Sequence, residues 1–223
     1  MDPVLTITTA AIGVAAASAV SSAIFRRWLS PESRARRHLD PARRTALADA
    51  RTGRAIVAVG RVRAIGEGLR SPIAERACVA YATTVDEHRD TRLPLAAEHA
   101  CADFWLEDHS GRALIQGAAA LVTLRDDLTL GVGFWNAPPP PTLAAFLSRH
   151  DESATNAFGM RRSLRVSEGV LADGEEVIVF GRLRVEIDPE SGEARGYRNA
   201  PKRLVIGPPD GGRLVLGDPP ALT

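Results

Sequence analysis

Cysteine is nearly missing from this sequence: Cys78 and Cys101 are the only two in 223 residues. Two isolated cysteines cannot supply the spaced pairs of a zinc ribbon or the repeated Cys/His ligands of a two-zinc RING finger. Lysine is scarcer still, since Lys202 is the sole one among 28 basic residues. The skew toward arginine, with abundant alanine, glycine and proline, reads as compositional bias. Net charge is only +1, so no global field steers the chain onto DNA or RNA, and no nucleic-acid partner is expected. Long apolar runs are also absent after Gly181, so no second membrane span and no module beyond one is expected there.

The one long apolar run is Val4 to Phe25, which holds no charged residue over roughly the 20 positions needed to cross a bilayer core. Asp2 precedes it and Arg26-Arg27-Trp28 follows, the reverse of a cleavable signal peptide. Residues 1–28 therefore read as a single uncleaved transmembrane anchor. Arg26, Arg27, Arg34, Arg36, Arg37, Arg43 and Arg44 then face only Glu32 and Asp40, which by the positive-inside rule places the rest of the chain in the cytoplasm. The same arginines offer a contact for anionic lipid. Within this basic linker, residues 29–53, Asp40-Pro41 opens a short helix over Ala42 to Arg51 that stands the domain off the membrane. In the reducing compartment so implied, Cys78 and Cys101 are expected as buried thiols rather than a disulfide.

Residues 54–187 read as one β-rich domain. Val57 to Ile65 alternates, Gly66, Gly68, Ser71 and Pro72 interrupt it, and Cys78 to Val85 resumes. Glu87 to His99 reads as an exposed loop. Ala102 to Gln116 is a hairpin whose turn, Asp108-His109-Ser110-Gly111, uses residues suited to tight turns, with Gly111 able to take positive φ. Ala118 to Leu124 and Leu128 to Trp135 are further strands. Thr142 to Arg149 is a helix with Leu143, Phe146 and Leu147 on one face, and Asp151 to Phe158 is loop. Gly60, Gly66, Gly131, Gly133 and Gly181 are placed at bends. The remaining 188–223 read as a C-terminal hairpin and tail, with edge strands at Leu204–Ile206 and Leu214–Leu216. The expected fold is mainly β, a barrel-like or curled antiparallel sheet with one short helix.

Three stretches in order carry a resemblance: Gly60 to Glu87 with Ser71-Pro72 and Cys78-Val79-Ala80-Tyr81, then Phe104 to Gly111 with Asp108, then Leu164 to Gly181 with Glu168 and Gly174. Together they resemble the GIDE-type domain, also called BAM, "beside a membrane", found in membrane-embedded mitochondrial RING-type ubiquitin ligases and in prokaryotic relatives. The family-motif positions are Gly60, Ser71, Pro72, Cys78, Tyr81, Phe104, Asp108, Gly111, Glu168, Gly174 and Gly181. The aromatic that often precedes the glutamate is absent here. The resemblance implies a ligase-related setting, but the RING that would do the chemistry is missing.

Candidate chemistry is sparse. Asp108, His109 and Ser110 share one hairpin tip, where adjacent side chains fan apart instead of converging as a triad. His99, Cys101 and Asp103 alternate along one strand face, with Cys78, His88 and His109 elsewhere, but no spacing brings a metal set together. Glu168 is expected to pair with Arg165 or Arg162 at a barrel edge. No second carboxylate or nucleophile is assigned to it. Arg70 is read as solvated at the rim. No catalytic residue, metal or cofactor is therefore assigned. The expected function is a membrane-anchored, non-catalytic binding or scaffold module with a protein partner. Trp105, Trp135, Arg112 and Arg125 are the residues for an alternative, a small-ligand or nucleic-acid sensor on an oligonucleotide-binding-like barrel.

Overall fold

The structure is a computed structural model and describes residues 38–87, 94–133, 138–189 and 201–219. The expected anchor, Trp28, His88 and Trp135 lie outside them. Among the described residues no helix is long and apolar enough to cross a membrane.

Five strands close into a barrel: β1 (Ala55–Ala64), β6 (Phe104–Asp108), β7 (Gly111–Ile115), β11 (Glu176–Ile187) and β12 (Lys202–Gly207). Their spatial order is β1-β6-β7-β12-β11, and β11 returns to β1. All neighbours are antiparallel except β7 and β12. Closure depends on β1, whose Ala55–Arg61 half pairs with β11 while Arg61–Ala64 pairs with β6. At that crossing Gly60 lies so close to β6 that an added Cβ would sit 2.5 Å from the Glu107 carbonyl oxygen. Gly181 is similarly confined, by Ile206, Leu214 and the Gly207 carbonyl. These two glycines are required for close approach, where bends were expected.

Alternation fills the barrel. Ile56, Ala58 and Val62 point inward with Phe104, Leu106, Ile115, Val177, Val179 and Ile206, all buried. Two inserted segments build a second sheet. Between β1 and β6 come the small pair β2 (Leu69–Arg70) and β3 (Ala77–Cys78), then β4 (Ala80–Glu87) and β5 (Ala96–Cys101). Between β7 and β11 come β8 (Leu121–Thr123), β9 (Leu128–Val132), helix α1 (Pro141–Arg149) and β10 (Leu164–Leu171). The sheet order is β5-β4-β10-β9. Leu143, Phe146 and Leu147 of α1 pack with Val85, Leu164 and Val166 of this sheet in a second core. The predicted helix face is thus observed on its own domain.

Several expectations are corrected. Ala42 to Arg51 forms two 3₁₀ turns, Pro41–Arg43 and Leu47–Asp49, in place of one helix. Nor does the segment stand apart. Thr45 N donates to Val57 O at 2.8 Å, Leu47 is 2% exposed in the barrel core, and Leu39 packs on Val57 and Ile178. Apolar burial outweighs the modest helix propensity of so short a stretch. In the expected loop before His99, Ala96–Cys101 is β5, paired with β4. Gly111 is not at positive φ; Gly174 is, at +83°.

The C-terminal hairpin does not form. Lys202–Gly207 is a full barrel strand between β11 and β7, while β13 (Val215–Gly217) joins β11 to β8. Both strands are interior because the long β11 exceeds the reach of one partner.

Candidate functional site

Among the described residues only three polar side chains are buried, Ser71, Thr83 and Glu168, and they meet. Residues 164, 166, 168 and 170 of β10 turn inward while Arg165 faces water, so strand alternation puts the Glu168 carboxylate in an apolar stripe. Opposite it in register stands Thr83 of β4. Glu168 Oε1 accepts from Ser71 Oγ and Ala74 N, both at 2.9 Å, and Oε2 accepts from Ile73 N at 2.9 Å and Thr83 Oγ1 at 3.0 Å. Four donors fill the lone-pair positions of a carboxylate.

The loop it holds is closed on itself. Ser71 N donates to Arg76 O at 2.9 Å, Arg76 N to Ser71 Oγ at 3.2 Å and Glu75 N to Ser71 O at 3.1 Å, with Glu75 at φ +54°. Ile73 plugs the helix-on-sheet core. The expected Glu168 pairing with Arg165 or Arg162 is therefore wrong: Arg162 bridges Glu87 and Glu152. Arg70 donates to Glu75 O at 3.1 Å, serving the same loop.

Cys78, two residues beyond that loop's close, is buried, and its Sγ contacts Leu69 O at 3.7 Å. Burial, then the nearby Glu168 charge, pushes its thiol up to about 11. Burial pushes Cys101 up to about 12, with Asp103 adding. Both cysteines are free. No group of three His, Cys, Asp or Glu side chains that could hold a metal is found among the described residues. Asp103 instead accepts from Gly117 N at 2.8 Å.

Asp108 has a comparable building role. Oδ1 accepts from Ser110 N and Ser110 Oγ at 2.7 Å and from Gly111 N at 2.9 Å. Oδ2 accepts from Leu47 N at 2.8 Å, while Ser110 Oγ accepts from Ala48 N at 3.0 Å. The hairpin tip thus caps the Leu47–Asp49 turn. Partial burial opposes ionisation of Asp108, but these donors outweigh it and hold its carboxyl below the usual range.

A third constellation went unrecognised in the sequence. Tyr81 Oη donates to Glu98 Oε1, and Glu98 Oε2 lies 3.1 Å from His150 Nε2 and 3.4 Å from Arg149 Nη2. Burial works against the charge on Glu98, yet Tyr81, His150 and Arg149 together lower its pKa. Burial, then Glu98, raises that of Tyr81. The only signal was Tyr81 and Thr83 in phase with Val85 on one strand face, polar groups that need partners when buried.

An open groove of about 720 Å³ runs between Arg44–Ala46, the Val59–Arg63 part of β1 and the Glu107–His109 turn. Arg63 pairs with Glu107 at 3.0 Å, and Asp108 is committed to backbone donors. Arg44, Arg61 and His109 are exposed along it, with Glu176 opposite Arg61 in register. The mixed charges suit a polar or peptide-like contact better than a naked polyanion.

The motif positions therefore separate. Ser71, Pro72, Cys78 and Glu168 gather at the clamped loop, Tyr81 joins Glu98, and Asp108 and Gly111 form the capped turn. Phe104, Gly60 and Gly181 belong to the barrel, and Gly174 to the turn before β11. Compared with known proteins, the chain matches no family model, no curated protein and no solved structure.

Proposed function

We propose that this chain is a membrane-anchored, non-catalytic binding or scaffold module of the GIDE/BAM type, facing the cytoplasm, with a protein partner at the Arg44–Arg61 groove. The observation that carries this reading is the burial of Leu47 in the barrel core and of Leu39 against Val57 and Ile178 on the barrel's outer face. The chain that follows the arginine run is part of the folded domain. Only 12 residues separate Phe25 from His38, so the barrel lies within about 45 Å of the end of the apolar run even if they are fully extended. Lipid contact comes from the apolar run and the arginine-rich linker. Glu168 and Asp108, the carboxylates most inviting as catalysts, have their lone pairs committed to structural donors. The family's ligase role is disfavoured because two cysteines cannot build its zinc finger.

The test is crosslinking from native membranes, comparing the whole chain with one lacking Met1 to Trp28. A partner captured by the tethered form and lost on Arg44→Glu with Arg61→Glu supports the reading. Equal capture by both forms contradicts the role of the anchor, and ubiquitin transfer by the purified chain with a conjugating enzyme contradicts the non-catalytic part.

A second reading rests on barrel order. Numbered along the chain the five strands pair 1-2-3-5-4 and close on 1, as in oligonucleotide-binding-type barrels, whose second and third strands carry ligand. Those strands are β6 and β7, where the Arg112 guanidinium lies 4.5 Å over the Trp105 ring. Arg125, by contrast, is tied to Pro219 O at 3.2 Å. A salt-sensitive complex with single-stranded nucleic acid, lost on Trp105→Ala, would favour this reading.

A further inference from the structure

Between α1 and β10 the chain makes a tightly bonded finger. Asn156 N donates to Met160 O at 2.8 Å and Gly159 N to Asn156 O at 2.9 Å. Asn156 Oδ1 accepts from both Phe158 N and Met160 N at 3.0 Å, and Gly159 takes φ +74°. Below the tip Thr155 bridges Arg161, and Arg162 N donates to Ala154 O at 2.8 Å. The Arg162 side chain fastens the base to Glu152 at 2.9 Å and Glu87 at 3.4 Å.

This scaffold holds its apolar side chains out in water. Phe158 is 86% exposed and Met160 47%, whereas the other exposed large apolar residues lie between 40% and 51%. A phenylalanine so exposed buries almost no apolar surface in the fold. From Ala157 to Arg165 the sequence AFGMRRSLR has three arginines, of which Arg162 is held by Glu87 and Glu152 while Arg161 and Arg165 are exposed. Beside it a shallow, mostly apolar hollow of about 380 Å³ is lined by Thr129, Val132, Leu164 and Arg165.

We infer that the Asn156–Met160 finger is a second membrane contact, which seats Phe158 and Met160 in the headgroup region of an anionic bilayer. The inference rests on the tethered reading above. An apolar tip with a cationic collar is the chemistry of an interfacial element, the ring entering below the headgroups while guanidinium groups meet lipid phosphates. One ring and one thioether make a weak contact by themselves. A tether of 12 residues between the apolar run and His38 keeps the domain at the bilayer and supplies the local concentration that makes such a contact effective. The finger would then fix which side of the barrel faces away from the membrane.

The experiment places a nitroxide at Phe158→Cys on the full chain in vesicles of phosphatidylcholine with phosphatidylserine, and another at Glu67→Cys, exposed on the β1–β2 loop. Cys78 and Cys101 are shielded and label slowly. The expected result is a label at 158 more accessible to oxygen than to a water-soluble nickel chelate, with the reverse at 67. Alkali-resistant chain whose label at 158 matches that at 67 overturns the finger and leaves the tether standing. A label immobilised and shielded from both quenchers also overturns the lipid contact, assigning the tip to a protein surface. Release of the chain from the vesicles by alkali overturns the tether and the finger with it.

Discussion

Replacing Glu168 by glutamine keeps the shape of the side chain and changes one oxygen into a donor. Either orientation then sets an NH₂ against a backbone N–H, that of Ala74 at one oxygen or Ile73 at the other, both 2.9 Å away in the native state. Ser71 and Thr83 can rotate their hydroxyls; the backbone amides cannot. One buried donor left unsatisfied costs about 1–3 kcal/mol, and the remaining bonds lose charge assistance, so Glu168→Gln should cost about 2–4 kcal/mol. Glu168→Ala strands both amides and opens a cavity, for about 3–5 kcal/mol. In thermal unfolding of the full chain in detergent, the glutamine variant should melt about 5–15 °C lower. Hydrogen exchange should accelerate first at residues 71–76. Removing the negative neighbour also makes the Cys78 thiol more acidic, so its alkylation should quicken. A variant melting within about 1 °C of the native chain, with unchanged exchange in that loop, would refute the reasoning.

Gly60→Ala places a methyl 2.5 Å from the Glu107 carbonyl and should destabilise by about 1–3 kcal/mol, whereas Gly111→Ala, with nothing within 4 Å, should stay within about 0.5 kcal/mol in chemical denaturation. Asp108→Asn turns an amide toward a backbone donor and should cost about 1–2 kcal/mol. Because the folded Asp108 pKa is lowered, its contribution is present above the ordinary carboxylate range and lost as pH falls through the depressed value. The variant should therefore show a flatter acid limb in stability against pH. Tyr81 has the opposite sign: its raised pKa makes its contribution complete below the ordinary tyrosine range and lost as pH rises through the folded value. Tyr81→Phe should remove a late-titrating phenolate increment from the ultraviolet absorbance. At pH 8 both thiols of the folded chain should resist a thiol reagent that modifies them fully in denaturant.

Strand periodicity made much of the fold legible. The alternating stretch from Val57, the Phe104–Ile115 hairpin and the Leu143, Phe146, Leu147 stripe each appear as elements, the last with its expected face buried. What periodicity does not encode is which strands meet. Lys202–Gly207 read as an edge because its apolar run is short, yet it completes the barrel between β7 and β11. Leu39 and Leu47 read as linker because arginines surround them, and only the tertiary contact shows them in the core. The loop clamp was half visible. Glu168 stood out as the acid of the third motif stretch but was expected at a barrel edge beside an arginine; three of its four donors come from residues 94 to 97 places earlier in sequence, and two of those are backbone amides that no residue pattern announces. Thr83, opposite it in register, carried the one available sign, a hydroxyl on an apolar face.

The most direct test of the central claim is the membrane behaviour of the full chain in native membranes, read by alkaline carbonate extraction followed by protease added from the cytoplasmic side. The account predicts that the chain stays with the membrane pellet and that its barrel is cut only by protease on the cytoplasmic face. Release into the alkaline supernatant, or a barrel protected until the membrane is broken, would contradict it.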